Sequence, residues 1–439
     1  MNVLRERVHV GEKLAYALGD MGACFMLDMV YLFQLYYYTD VLRIKAATAG
    51  MIVLIARVAG SLFDLPAGLL ADRTRTRFGR FRPWVVGLTL PLALVYVFDF
   101  LSPLSGEWGK ILYAAVSLSL FMMLFSLQNT PYSALGGVIS GEEKVRASIS
   151  SWRVLGSLMG GLVASVGTLP LAERLTAHVH SPPLGWFLTT VLLATAAVPL
   201  MLASGFFPRE RVQPVAVAAR PSFWGAFRTV FRTPGALAVL LAGVAYSIAG
   251  GLSSNGFVYY FKYVGQESAI NYSTFAFVSQ LATGSAVLFI TVPVTRRFSA
   301  VRVATCAYFG AALLSCLYFI LPATADVSLL TVCALRCIVY APAMALFWTL
   351  LARVADLAGG QVTALVFGLA CLFTKCASAL GNSLFGYGLS LAGYVPDAPA
   401  SAGTALFLRL SVSFLPAVFL LCAALLVRRV AAAQEVTNR

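Results

Sequence analysis

The sequence predicts an all-α membrane protein with twelve transmembrane helices arranged as two six-helix pseudo-repeats. Three observations predict it. Only 11% of the 439 residues are charged and 59% are hydrophobic, whereas a water-soluble chain carries about a quarter charged residues. Twelve apolar runs are each long enough for the roughly 20 residues that a membrane helix needs. Lysine and arginine gather in alternate loops, as they do on the cytoplasmic side of a membrane. The eight cysteines all lie inside apolar runs, so no disulfide framework or zinc knuckle is expected.

Between polar breaks the runs fall at 13–39, 46–71, 84–102, 111–139, 148–170, 186–207, 234–262, 273–295, 303–322, 328–353, 361–391 and 404–427. The first follows Arg5-Glu6-Arg7 and is far too long for the apolar part of a signal peptide, so no cleavage is expected. With the N-terminus inside, the inner segments carry 22 of the 32 cations and the outer segments only five. Both termini are therefore expected in the cytoplasm. The net charge of +14 is spread over short loops that obey this rule, so nucleic acid is not expected as a partner.

The longest inner loop carries Pro208, Pro214 and Pro221 with five arginines. It divides the chain into an N-terminal bundle (1–207), a cytoplasmic linker (208–233) and a C-terminal bundle (234–439). The halves echo each other: Tyr36-Tyr37-Tyr38-Thr39-Asp40 ends the first span and Tyr259-Tyr260-Phe261-Lys262-Tyr263 ends the seventh. Such repeats build secondary transporters, with the substrate at the midplane between halves. An interfacial aromatic belt would leave the same trace.

Ionisable groups inside spans are costly unless paired or hydrated, and mark function by default. Asp20, Cys24 and Asp28 recur every fourth residue, so the first span presents two carboxylates on one stripe. Arg57 and Asp64 of the second span are seven apart, again on one face. At about 1.5 Å per residue, Asp28 and Arg57 reach a shared depth, which predicts a buried charge pair between them. Arg153 and Lys375 complete the set expected to line a titratable cavity. Asp99, Arg336 and Arg409 read better as static helix-locking groups. Asn129-Thr130-Pro131-Tyr132-Ser133 is expected to interrupt the fourth span, and Gly250-Gly251-Leu252-Ser253-Ser254-Asn255-Gly256 to break the seventh. Trp348 could stack on the apolar face of a sugar, while Asn382 and the charged groups bind its hydroxyls. Close helix packing is the competing reading for the small residues. No phosphate loop, nucleophile elbow or zinc-protease motif is present, so an enzyme is not expected. Nor is a cofactor or bound metal.

The loop Gly68-Leu69-Leu70-Ala71-Asp72-Arg73-Thr74-Arg75-Thr76-Arg77-Phe78-Gly79-Arg80-Phe81-Arg82-Pro83-Trp84 resembles the signature loop of the major facilitator superfamily. Its form is that of the glycoside-pentoside-hexuronide:cation symporters. Gly11-Glu12-Lys13, Gly19-Asp20, Asn129-Thr130-Pro131-Tyr132, Arg146-Ala147-Ser148, Phe347-Trp348 and Gly386-Tyr387-Gly388 extend the resemblance over essentially the whole chain. The resemblance implies the major facilitator fold and residue roles. Asp64, Ser126 and Lys375 fall at the coupling-cation site. Asn129, Arg153, Trp348 and Lys375 fall at the sugar site, where Asp20 would replace a first-span carboxylate lost at Cys24. Asp72, Arg73, Arg77, Gly79 and Arg80 form the gating loop. The chain departs from the pattern at Gly60, where a second cation-site carboxylate is expected, at Phe63, where an amide is expected, and at Ser133, where a tryptophan is expected.

Sodium requires several hard oxygen ligands, whereas one buried carboxylate can still exchange a proton, so proton coupling is favoured over sodium. The expected function is cation-coupled symport of a sugar, glycoside or hexuronate by a monomer in the bacterial inner membrane. Transport of an amphipathic, lysolipid-like substrate and a non-transporting sensor with the same fold are the competing readings.

Overall fold

The computed structural model describes residues 8–101, 103–104, 106–140, 142–212, 223–357 and 363–437. The elements are α1 (Val10–Tyr36), α2 (Ala46–Leu62), α3 (Asp64–Arg73), α4 (Arg82–Asp99), α5 (Glu107–Val138), α6 (Glu143–Leu162), α7 (Thr168–Val179) and α8 (Pro182–Phe206). They continue as α9 (Phe223–Arg232), α10 (Ala236–Tyr263), α11 (Tyr272–Phe289), α12 (Thr291–Arg297), α13 (Ala300–Ile320) and α14 (Asp326–Leu357). Last come α15 (Thr363–Leu391), α16 (Ala402–Val412) and α17 (Phe414–Thr437). Single π turns follow α1 at Tyr37–Val41 and α6 at Val163–Gly167. Among the described residues, eleven helical stretches are long and apolar enough to cross a membrane. The remaining pass is α11 with α12.

Local chemistry explains the ends and breaks. Asn271, Ser299 and Ser401 cap α11, α13 and α16 by accepting from the backbone N–H three residues on. Prolines open α4 and α8 where no donor is needed. Three passes break at Phe63, Ile290 and Ser413, each three residues before a proline (Pro66, Pro293, Pro416). The missing proline N–H strips the preceding turn of a hydrogen bond. Two of these breaks fall in the second pass of each half, at matching places.

Two expectations about helix continuity fail. α5 runs unbroken through Pro131, and α10 runs unbroken through the Gly250–Gly256 stretch. The polar groups of α10 are used in packing: the Asn255 amide donates to Asn382 Oδ1 at 2.8 Å and to the Gly251 carbonyl at 3.2 Å. A β-carbon at Gly251 would lie 2.5 Å from the Ser378 carbonyl, so glycine is what lets α10 and α15 meet backbone to backbone. The aromatic runs are packed within the helix bundles. Tyr37, Tyr38, Tyr259 and Tyr260 are buried, and Tyr37 and Tyr38 donate to the Phe100 and Ala114 carbonyls at 2.8 and 3.1 Å.

The chain forms two compact units. The first comprises Met1–Ile44 and Ile55–Ala216, the second Lys45–Leu54 and Val217–Arg439. In the first, α1 packs on α6 and α8, and α4 packs on α5 and α8. In the second, α10 packs on α15 and α17, and α13 packs on α14 and α17. The 45–54 stretch groups with the second unit because Gly50 lies against Gly386 of α15, a β-carbon there reaching 3.5 Å from its Cα.

Candidate substrate and cation sites

In the first unit, glycines bring α1 and α6 into backbone contact. A β-carbon at Gly156 would collide with the Ala17 carbonyl, and one at Gly160 would lie 2.6 Å from the Met21 carbonyl. This contact sets Arg153 of α6 beside Asp20 of α1, with Nε 3.3 Å from Oδ1. The guanidinium also sits over the Tyr132 ring, 5.1 Å from its centroid. Tyr132 stacks on Tyr16 at 4.7 Å, and each hydroxyl donates to the other residue's carbonyl, at 2.6 and 3.3 Å. The result is a buried carboxylate, a half-buried cation and a locked pair of aromatic rings in one place. Further along the stripe the Cys24 thiol meets Ser157 Oγ at 3.3 Å. Asn129 is half-buried on α5, and the expected tryptophan position, Ser133, is exposed.

Asp64 opens α3 directly after the break at Phe63. Thr130 Oγ1 of α5 donates to its Oδ1 at 3.4 Å. Ser126, buried one turn earlier on α5, shares the face of Thr130. One further turn back, Met122 explains Gly60: a β-carbon there would lie 2.6 Å from Met122 Cβ and 3.0 Å from its backbone. No acidic side chain fits at that position in this packing.

The expected Asp28–Arg57 pair is not formed: among the described residues no ion pair joins them. Arg57, only 4% exposed, lies over the Tyr31 ring at 3.9 Å from the centroid and donates to the Tyr31 carbonyl at 3.4 Å. Asp28 continues the Asp20–Cys24 stripe that faces α6, with the Cys24 thiol as its neighbour. Shared depth does not ensure contact when helical phase sends two groups to different neighbours.

In the signature loop, Gly79 adopts φ +110°, open only to glycine at little cost. The turn exposes the amides that lead into α4 to Glu210. Its carboxylate accepts from the N–H groups of Arg80 at 2.8 Å, Phe81 at 2.8 Å and Arg82 at 3.1 Å. Arg82 donates to the Gly205 and Phe206 carbonyls that end α8. Arg211 grips Glu12 of α1 in a bidentate pair at 2.7 and 2.8 Å, and the Arg211 and Val212 amides donate to the Val138 carbonyl. Arg77 and Arg80 lie over Phe78 and Phe81. Arg73 is exposed, and the Asp72 side chain lies outside the described residues.

In the second unit Trp348 of α14 is 41% exposed and stacks parallel to Phe367 of α15, with 6.2 Å between centroids. Phe347 packs edge-on against it at 5.3 Å. Lys375 is half-buried on α15, two turns after Phe367. Two of the groups read as static make hydrogen bonds to serines. Asp99 accepts from Ser117 at 2.6 Å, and Arg336 donates to Ser315 at 2.8 Å.

The sequence profile of the family described as "MFS/sugar transport protein" matches residues 15–431. The chain belongs to that family. It is 38% identical over 209 residues to the inner membrane symporter YicJ of Escherichia coli (strain K12), covering 47% of this chain and 45% of that one. It is 28% identical over 433 residues to the glucuronide carrier protein homolog of the same organism, covering 93% and 90%. The fold matches that of a bacterial homolog of the lysosomal transporter Spinster, with a TM-score of 0.71, 14% identity and 97% of each chain covered. This major facilitator chain is thus an integral inner-membrane transporter and not an enzyme.

Several residues of this family member's sites carry no signal in the sequence that singles them out. Tyr16 and Tyr132 resemble any span tyrosine until stacked. Thr130 stands inside a motif whose proline draws the eye. Glu210 is the only acidic residue between Glu173 and Glu267, and that isolation is the one sign that could have found it.

Proposed function

We propose that the protein is a cation-coupled symporter of a sugar, glycoside or hexuronate, with the proton as coupling ion, working by alternating access with both termini in the cytoplasm. The observation that carries this reading is the Asp20–Arg153 pair held over the stacked Tyr16–Tyr132 rings. A carboxylate and a guanidinium offer paired acceptors and donors to vicinal hydroxyls, and an aromatic face suits the apolar face of a pyranose. A transporter needs this site to exist empty as well as filled. With no sugar bound, the two charges satisfy each other, and neither is left uncompensated in the membrane.

Asp64 is the proposed coupling residue, and its neighbours argue for a proton. The Met122 backbone fills the space at Gly60 where a second carboxylate would complete a sodium shell. A carboxyl beside a threonine hydroxyl, at a helix break, takes up and releases a proton with little rearrangement. Uptake of labelled glucuronides and glycosides into proteoliposomes tests the proposal, with a proton or a sodium gradient imposed separately. Uphill accumulation driven by an inward proton gradient supports it. Accumulation driven only by sodium would overturn the choice of ion, and no concentrative uptake of any sugar under either gradient would overturn the substrate class.

A further inference from the structure

Where α1, α4 and α5 meet, the first unit buries a carboxylate that neither substrate binding nor coupling at Asp64 uses. Asp99 closes α4 and is only 1% exposed. Its Oδ1 accepts from Ser117 Oγ of α5 at 2.6 Å and from the Tyr38 hydroxyl, in the π turn after α1, at 3.4 Å. Its Oδ2 accepts no hydrogen bond, and among the described residues no lysine or arginine pairs with it. Gln34, also 1% exposed, lies one turn before Tyr38 and beside Asp99. Neither end of its amide has a hydrogen-bond partner among the described residues. The fully buried rings of Tyr96, Phe100 and Phe121 pack together around the end of α4, so bulk water does not solvate the charge.

A helix lock explains the bond to Ser117. It does not explain a buried carboxylate without a counter-charge next to an amide without a partner, since each is costly to leave so. A monovalent cation neutralises the carboxylate and takes the free oxygens of Asp99 and Gln34 as ligands. The two hydroxyls can join them, because each has a second acceptor in the Ala114 carbonyl, at 3.1 Å from Tyr38 and 3.4 Å from Ser117. With its proton turned there, each hydroxyl still offers a lone pair to an ion beside Asp99. The donor set is then all oxygen, which suits a hard ion. It carries a single charge, which would leave a divalent ion uncompensated within the bundle. The close spacing of the oxygens around Oδ1 favours sodium over the larger potassium.

We propose that Asp99, Gln34, Tyr38 and Ser117 form a binding site for a sodium ion that fastens α1, α4 and α5 together, independently of the coupling at Asp64.

The test is thermal unfolding of the purified full-length protein in detergent, titrated with sodium, potassium or choline chloride at constant ionic strength. Sodium should raise Tm by binding the folded state, and the other two cations should raise it far less. Asp99→Asn should weaken the apparent sodium affinity at least about tenfold, since the ion loses its only formal counter-charge, whereas Asp64→Asn should keep it. Gln34→Leu separates a ligand from a packing residue. Removing an unpaired buried amide should hold or raise Tm without sodium, while the sodium response shrinks. Should Asp99→Asn not fold, Gln34→Leu and the wild type still decide. Equal responses to the three cations, a sodium response unchanged in Asp99→Asn or Gln34→Leu, or one lost in Asp64→Asn would overturn the site.

Discussion

Replacing Gly156 with alanine tests how the α1–α6 contact builds the Asp20–Arg153 site. The added β-carbon would lie 2.8 Å from the Ala17 carbonyl carbon and closer still to its oxygen. Those atoms belong to the α1 backbone, so no rotamer change relieves the collision. Restoring an ordinary contact of about 3.5 Å requires the two helices to part by roughly 1 Å. Arg153 Nε is already 3.3 Å from Asp20 Oδ1, and another ångström takes the pair beyond hydrogen-bonding range. Overpacking costs about 1–3 kcal/mol, and alanine's helix propensity returns up to about 1 kcal/mol. The net loss of stability is therefore modest, about 0–2 kcal/mol, whereas substrate affinity should drop steeply. Gly87→Ala is the control: α4 continues around it and a β-carbon there meets nothing within 4 Å, so stability should hold or rise. Tm of both variants in detergent, with substrate binding by equilibrium dialysis, gives the comparison. Wild-type affinity in Gly156→Ala would refute the claim that this contact positions the pair.

Three further outcomes follow from the same geometry. Glu210→Ala leaves the Arg80, Phe81 and Arg82 amides at the entry to α4 without their carboxylate and should destabilise the protein by about 1–3 kcal/mol, read as a lower Tm. Asn255→Ala removes the 2.8 Å hydrogen bond to Asn382 Oδ1 in the α10–α15 contact and should cost about 1–3 kcal/mol by the same measurement. Because Arg57 packs on Tyr31 and not on Asp28, the stability losses of Asp28→Asn and Arg57→Gln should add within about 0.5 kcal/mol. A double variant more stable than that sum would restore the pair.

The passes were legible because each needs about 20 apolar residues, and loops with arginine punctuate them. What the sequence hid was whether polar residues inside a pass break it. Pro131 and the Gly250–Gly256 run leave α5 and α10 whole, since Asn255 finds Asn382 and the glycines accept a neighbouring backbone. Pro66, Pro293 and Pro416 do mark breaks. Nothing local separates the two kinds of proline; tertiary contacts decide. The site was legible in its charges, because carboxylates and arginines in spans are rare. Its aromatic floor was not, since Tyr16 and Tyr132 lie 116 residues apart and meet only across two helices. The Asp28–Arg57 expectation failed because depth is readable from residue number, while the rotational phase of two packed helices is not. Glu210 shows in the sequence only by its isolation among uncharged and basic residues, because its partners are backbone amides, which leave no trace in side-chain identity.

Asp64 is the residue proposed to couple transport to a cation. Uphill accumulation and equilibrium exchange of a labelled substrate should be measured side by side in proteoliposomes containing Asp64→Asn. That substitution keeps the volume of the side chain and an acceptor for Thr130, but removes the titratable charge. Accumulation against a gradient should be abolished while exchange persists at a measurable rate. Accumulation by Asp64→Asn to the wild-type level under the same gradient would contradict it.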